Sequence, residues 1–310
     1  MGAPNGTLVT EFILIGLSEH PRVQVVFFCF FLTAYLVSIL GNGLIIILIV
    51  ADPQLHTPMY FFLCVLSSID LIISNNTVPE VLANCFLYMP TISFYRCLVQ
   101  MYVGMILFST ETILLAIMAY DRYAAICQPL HYMQIMSWTF CINLVASTVA
   151  LSFLITFITV LLQPTDFCGH YIINHFACEI QSFLKLACFD KHTSKVFVHV
   201  SSQFLLIPPF GFIVVTYGRI GFAVMRIRSA QGRKKAFSTC SSHLTVVSIF
   251  YGALMVMYVK PQQKFLSEEE KIVSVMYGAL TPMLNPLIYS LRNRDVKAAF
   301  WKVIGGKISK

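Results

Sequence analysis

Charge is what this chain has least of. Only 11% of its 310 residues are Asp, Glu, Lys or Arg, and 57% are hydrophobic; a soluble domain carries about 25% charged residues. Soluble domains of this length could not cover their surfaces with so few charges, which excludes a cytosolic enzyme. Other features are missing too. The chain has no alternating segments of about ten residues, the signature of an outer-membrane barrel. It shows no internal repeat of the kind transporters carry. Residues 1–22 lack the basic segment and short apolar stretch of a cleavable signal peptide. These absences leave a polytopic helical membrane protein whose first apolar run acts as an uncleaved anchor.

The apolar residues come in runs of bilayer length. Arg22 and Asp52 bracket 29 uncharged residues, Lys195 and Arg219 bracket 23, Lys235 and Lys260 bracket 24, and Lys271 and Arg292 bracket 20. A helix needs about 20 apolar residues to cross the hydrocarbon core. A further uncharged run lies at 138–162, and two more apolar runs, at 57–82 and 97–120, each contain an acid in the interior, Asp70 and Glu111. The expected fold is therefore an all-α seven-helix membrane bundle. Its parts are a tail over 1–22, spans at 23–51, 57–82, 97–122, 138–162, 196–219, 236–259 and 272–291, and a second tail over 292–310.

Thirteen of the 21 Lys and Arg fall on the side opposite the N-terminus, chiefly between Arg219 and Lys235 and after Arg292. Basic residues concentrate on the cytoplasmic side, so the N-terminus is expected outside. Asn5-Gly6-Thr7 then places a glycosylation sequon, with Asn5 as acceptor, on an outer tail. The basic excess faces an inner lipid surface or an acidic cytosolic partner, not nucleic acid. In the C-terminal tail Val296, Phe300 and Val303 recur at i, i+4 and i+7 with Arg294, Lys297 and Lys302 elsewhere. That pattern predicts a short amphipathic helix lying on the membrane.

Of ten cysteines, Cys97, Cys168, Cys178 and Cys188 fall on the oxidising side, and four cysteines allow three pairings. A Cys97–Cys178 bridge would tie the third span to the loop between spans four and five; Cys168–Cys188 would close that loop on itself. His175, Cys178 and Glu179 have metal-ligand types at helical spacing, but a disulfide at Cys178 would remove its thiolate.

The motifs narrow the class. Gly41-Asn42 lies in the first span, and Pro58-Met59-Tyr60-Phe61-Phe62-Leu63 opens the second. Met118-Ala119-Tyr120-Asp121-Arg122-Tyr123 closes the third, and Lys235-Ala236-Phe237-Ser238-Thr239-Cys240-Ser241-Ser242-His243-Leu244 opens the sixth. Pro282-Met283-Leu284-Asn285-Pro286-Leu287-Ile288-Tyr289 closes the seventh. In this order and over nearly the whole chain, these strings resemble the olfactory receptors of the rhodopsin-like G-protein-coupled class. Two departures stand in the fifth span. Pro208-Pro209 should break the helical ladder locally, and Thr216-Tyr217 replaces the usual Ser-Tyr.

The resemblance implies a plasma-membrane receptor of olfactory sensory cilia. It would bind a small odorant and activate a stimulatory G protein, raising cyclic AMP. It implies Cys97–Cys178 as the main bridge and Cys168–Cys188 as the second. Asp121, Arg122 and Tyr123 would form the inner switch, with Asp121 and Arg122 as an ion pair. Tyr217 and Tyr289 would rearrange beside it, and Lys235, His243, Asn285 and Pro286 would belong to the same coupling and switch group. No cofactor is required, but Asp70, Glu111 and Asn285 form a possible sodium site. Two carboxylates in a low-dielectric core cannot both stay ionised without a cation or a proton, and sodium there would hold the resting state.

The ligand pocket is expected in the outer halves of the spans. The third offers Gly104, Met105, Phe108, Ser109 and Thr112; the fifth offers Val198, Ser201, Ser202 and Leu205. The sixth offers Tyr251, Leu254, Met255 and Tyr258, and the seventh Tyr277. None of these is charged, which suits a mostly apolar molecule with one hydrogen-bonding group. An amine receptor would carry an acid near Gly104, and a retinal-binding opsin a lysine in the seventh span; both are absent. The alternatives are a non-olfactory chemosensory or small-metabolite receptor and, more distantly, a transporter. An intramembrane enzyme would need cooperating groups, and His199 and His243 fall at opposite membrane faces.

Overall fold

The computed structural model describes residues 10–16, 20–87, 89–163, 167, 171–187, 192–226, 229–259 and 267–304. The sequon at Asn5 and the Cys168–Cys188 pair lie outside the described residues. So do the side chains of Lys235 and Tyr258, although both positions belong to a described helix.

Seven helical stretches are long and apolar enough to cross a membrane. The first four are α1 (Pro21–Ala51), α2 (Pro58–Asn84), α3 (Phe94–Cys127) and α5 (Trp138–Leu161), with the short α4 (Tyr132–Ile135) between the last two. After the short α6 (Ile180–Leu186) come α7 (His192–Met225) and α8 (Ala230–Val259). The seventh span is composite: α9 (Ser267–Val275), a π-helical turn (Met276–Leu280) and α10 (Thr281–Arg292), followed by α11 (Arg294–Ile304). The architecture is a seven-helix membrane bundle.

Several helices outrun the uncharged segments that announce them. In α3 and α7 the helix continues past Arg96, Arg122, Lys195 and Arg219. Charge marks the edge of the hydrocarbon layer, whereas backbone hydrogen bonding is indifferent to it. The Pro208-Pro209 pair removes two backbone donors, yet α7 runs through both residues. The local break expected there does not interrupt the helix.

α1 packs on α2 and α10, and α3 on α2, α5 and α7. One close approach explains a motif. A Cβ on Gly41 would lie 2.8 Å from both Cβ and Cγ of Pro286, so only glycine lets α1 seat against the α10 proline. Next to it Asn42 Nδ2 donates to the Pro282 carbonyl at 3.0 Å, meeting one of the acceptors that the helix-seven prolines free.

The outer end differs from a bare helical bundle. Residues 11–14 are not tail but the strand β1 (Glu11–Leu14), the centre of a three-stranded sheet. It pairs antiparallel with β2 (Thr91–Ser93) and parallel with β3 (Ile172–Ile173) in the second outer loop. Alternation inside β1 explains why: Phe12 and Leu14 are buried while Glu11 is exposed. Phe12 sits edge-on to Phe167 and Phe183, a favoured aromatic geometry.

At the opposite end α11 turns across the bundle. Val296 and Ala299 are buried, Tyr60 Oη donates to Asp295 at 3.0 Å, and Lys302 pairs with Asp52 at 3.0 Å. That ammonium group holds the Asp52 carboxyl below its usual value.

Candidate functional site

The Cys97–Cys178 disulfide ties the outer end of α3 to the second loop. It carries Phe176, Ala177, Glu179 and Ile180 over a cavity of about 1140 Å³ of empty space, its mouth included. Cys178 N donates to Gln100 Oε1 at 2.8 Å. Gln100 and Asn76 exchange side-chain-to-backbone bonds of 3.0 and 2.9 Å between α3 and α2. The loop is thus fixed covalently and by hydrogen bonds, which lowers the entropy that a ligand would otherwise have to remove. Since the Cys178 sulfur is in the disulfide, the metal alternative at His175, Cys178 and Glu179 loses its thiolate.

From the sequence list the cavity gathers Gly104, Met105, Phe108, Ser109 and Thr112 of α3. It adds Val198, Ser201, Ser202 and Leu205 of α7, Leu254 of α8 and Tyr277 of the π turn. Phe108 and Tyr277 meet edge-on at 4.8 Å. The hydroxyls donate to their own helices: Thr112 to the Phe108 carbonyl at 2.7 Å and Ser202 to the Val198 carbonyl at 2.6 Å. A hydroxyl so engaged still accepts, so the walls offer acceptors in an apolar setting.

Tyr251 and Met255 do not belong to the lining. Tyr251 Oη donates to the Thr112 carbonyl at 2.7 Å, which holds the buried ring in the seam between α8 and α3, against Phe210. Met255 packs against the main core. Both corrections have one cause: helical spacing gives a side, not a depth.

Other lining residues escaped the sequence reading. Gln100 is a polar residue one turn before Gly104, a signal that was available, whereas Asn76 lies on α2, from which no lining was expected. The loop residues carried none, because only the disulfide brings them in. Glu179 puts a carboxylate at the cavity, 3.8 Å from the buried His175. His175 Nε2 lies 3.2 Å from Ser274 Oγ, which in turn lies 3.2 Å from Tyr277 Oη. The loop and the seventh span are therefore joined by a polar chain that ends at a pocket tyrosine.

Midway down the bundle, Asn285 Nδ2 donates to both carboxylate oxygens of Asp70, at 3.2 and 3.0 Å. Glu111 is fully buried nearby, and neither of its oxygens has a hydrogen-bond partner. Asn42 Oδ1 is likewise buried without one.

At the inner end, Asp121 accepts from Tyr132 Oη at 2.7 Å. Burial, then the adjacent carboxylate, pushes the Tyr132 hydroxyl well above its usual range, so it stays a donor. The buried Arg122 directs Nη1 to the Met59 sulfur. Among the described ion pairs none joins Asp121 to Arg122, which corrects the expectation of a direct pair; each has found a different partner. Tyr217 Oη lies 2.8 Å from His243 Nδ1, with the rings stacked. This bond joins α7 to α8. Tyr123 stacks on Tyr120, Pro286 lies within α10, and Tyr289 is buried with an unpartnered hydroxyl.

Comparison with known proteins bears on the whole of this arrangement. The family model for the olfactory receptor matches residues 28–307. Human olfactory receptor 13H1 is 49% identical over 304 residues, covering 98% of this chain and 99% of that protein. Mouse olfactory receptor 5AR1 is 46% identical over 311 residues, covering 99% of each. Human olfactory receptor 2A12 is 44% identical over 301 residues, covering 97% of each. With seven apolar helices, a disulfide-held outer loop and these relatives, the chain is a multi-pass plasma-membrane receptor, not an enzyme, and belongs to the olfactory receptor family.

Proposed function

We propose that this receptor takes a small, mostly apolar odorant into the cavity beneath the second outer loop and activates a stimulatory G protein, raising cyclic AMP. The N-terminus faces outward, as the distribution of basic residues requires. One observation carries the reading. The cavity is largely apolar with a few accepting hydroxyls, and it shares α3, α7 and α8 with the inner cluster of Arg122, Tyr217 and His243. A ligand that favours a different packing of these helices biases the inner end by its differential affinity for the two packings. The test is cyclic-AMP output from cells expressing the chain with an olfactory-type stimulatory G protein, over an odorant panel. A response that disappears in Arg122→Ala at unchanged surface expression supports the reading; solute flux without a G protein contradicts it.

Glu179 supports a second reading, a receptor for small polar metabolites. A carboxylate at the cavity wall would pair with a cationic or strongly donating ligand. Amines and short polar metabolites therefore belong in the same panel, with Glu179→Gln as the discriminating variant.

The midplane cluster fits a sodium ion in the chemistry of its donors. Hard cations take oxygen ligands, carboxylates first, and Glu111 has two buried oxygens with no protein donor. Asp70, Glu111 and Asn285 would hold the ion, which would supply the positive charge that two neighbouring carboxylates need. Activation should then weaken as sodium rises, and Glu111→Gln should remove that dependence while the receptor still reaches the surface. Sodium dependence unchanged in both Glu111→Gln and Asp70→Asn contradicts the site.

A further inference from the structure

His175 of the second outer loop is fully buried and, unlike its neighbours Phe176 and Ala177, does not line the cavity. Its imidazole is nonetheless held firmly. Nδ1 lies 3.0 Å from the Ala177 carbonyl oxygen and 3.2 Å from the Ala177 amide nitrogen. The ring stacks on Phe176, with centroids 4.5 Å apart and 28° between the planes. Ala177 adjoins Cys178, whose disulfide to Cys97 fastens this stretch of loop to α3. The imidazole thus sits on covalently tethered backbone, and its far edge presents Nε2 to the seventh span.

There Nε2 meets Ser274 Oγ at 3.2 Å, and Ser274 Oγ meets Tyr277 Oη at 3.2 Å. Ser274 stands on α9 and Tyr277 three residues on, in the π turn, a spacing that puts both on one helix face. Both line the cavity, and both are buried. From the other side Phe108 of α3 meets the Tyr277 ring edge-on at 4.8 Å. The hydroxyls of Thr112 and Ser202 bond their own helices; that of Tyr277 is reached from the loop. A hydroxyl both donates and accepts, and one whose place is fixed before binding asks a ligand for little ordering entropy. In a largely apolar wall, such a point sets orientation and specificity.

We propose that His175 and Ser274 are positioning residues: acting through Tyr277, they make the receptor prefer odorants that carry one oxygen function, an alcohol or a ketone, over hydrocarbons of the same shape. The proposal rests on this cavity being the odorant site. It gives His175 a task independent of the thiolate that the disulfide removes.

The test uses cells expressing the full-length receptor with a stimulatory G protein. They are given small aliphatic and cyclic alcohols and ketones, each beside the hydrocarbon in which a methyl or methylene group replaces the oxygen function. Half-maximal concentrations for cyclic AMP are compared, or, for a silent hydrocarbon, its inhibition of the partner's response. A neutral hydrogen bond is worth up to about tenfold in affinity, so the parent should favour the oxygenated member by about that factor. Tyr277→Phe should abolish the preference. Ser274→Ala and His175→Leu should each lower it about threefold and leave the hydrocarbon's own value unchanged, a split that a general folding defect would not give. His175→Gln, which keeps a polar group near the place of Nε2, should restore it. In a Tyr277→Phe background neither change should have any further effect. Ser274→Ala serves alone if the His175 variants fail to reach the surface. A parent without the preference, losses that fall equally on both members of a pair, or losses that add to that of Tyr277→Phe overturn the proposal. A parent that answers no member of any pair contradicts the odorant reading instead. Amide exchange of the purified receptor then decides whether the loop holds the π turn. Ser274→Ala and His175→Leu should speed exchange across Met276–Leu280 severalfold and to the same level, and their combination should add nothing; unchanged exchange overturns the proposal.

Discussion

Gly41 and Tyr251 show how single positions set this bundle. At Gly41 even a methyl group would meet Pro286 at 2.8 Å, so Gly41→Ala should cost about 1–3 kcal/mol by overpacking. Thermal inactivation of the purified receptor measures it, and an unchanged midpoint would show that α10 yields freely. Tyr251 is the converse case. Its hydroxyl serves the Thr112 carbonyl in the α3–α8 seam, outside the cavity. Tyr251→Phe should therefore cost about 1 kcal/mol of stability and leave the pattern of odorant selectivity unaltered. A selectivity change without a stability change would return Tyr251 to the pocket. The residue scale was only partly legible in the sequence. Identity strings placed Asp70, Asn285, Tyr217 and His243, but not the partners: Arg122 reaches Met59 and Asp121 accepts from Tyr132. Those choices depend on side-chain direction and on α4, which a run of letters does not encode.

At the scale of elements, hydropathy marked the seven spans because each must satisfy its own backbone in lipid. It missed β1, since a four-residue strand adds little apolar weight and its partners lie in distant loops. It also missed the π turn at Met276–Leu280, which places Tyr277 at the cavity. α11 gives a prediction at this scale. Lys302 holds the Asp52 carboxyl below its ordinary value of 3.8. The ion pair therefore stabilises α11 docking from that value up through neutral pH and is lost as pH falls below it. At neutral pH, Lys302→Ala, which also loses the bond to Gln54 Oε1 at 2.6 Å, should raise hydrogen exchange along α11 at least as much as Asp52→Asn, and the double variant should add nothing beyond Lys302→Ala. Additive effects would mean that the two residues anchor different structures.

At the scale of the whole molecule, few charged residues fall within the spans. Among them Asp70 and Glu111 occupy the midplane and Asp121 and Arg122 the inner end, while Glu179 of the second loop stands at the cavity wall. The apolar majority supplies the spans, and its outward side chains face lipid. Signal transfer on this account is a packing event between α3, α7 and α8, with the cavity at one end and the Tyr217–His243 bond at the other. The most direct measurement is the odorant-panel cyclic-AMP response of the intact receptor beside Arg122→Ala, with surface expression quantified in the same cells. The account predicts at least one apolar odorant that raises cyclic AMP in the parent and fails to do so in the variant at equal surface density. An equal response in the variant would contradict it.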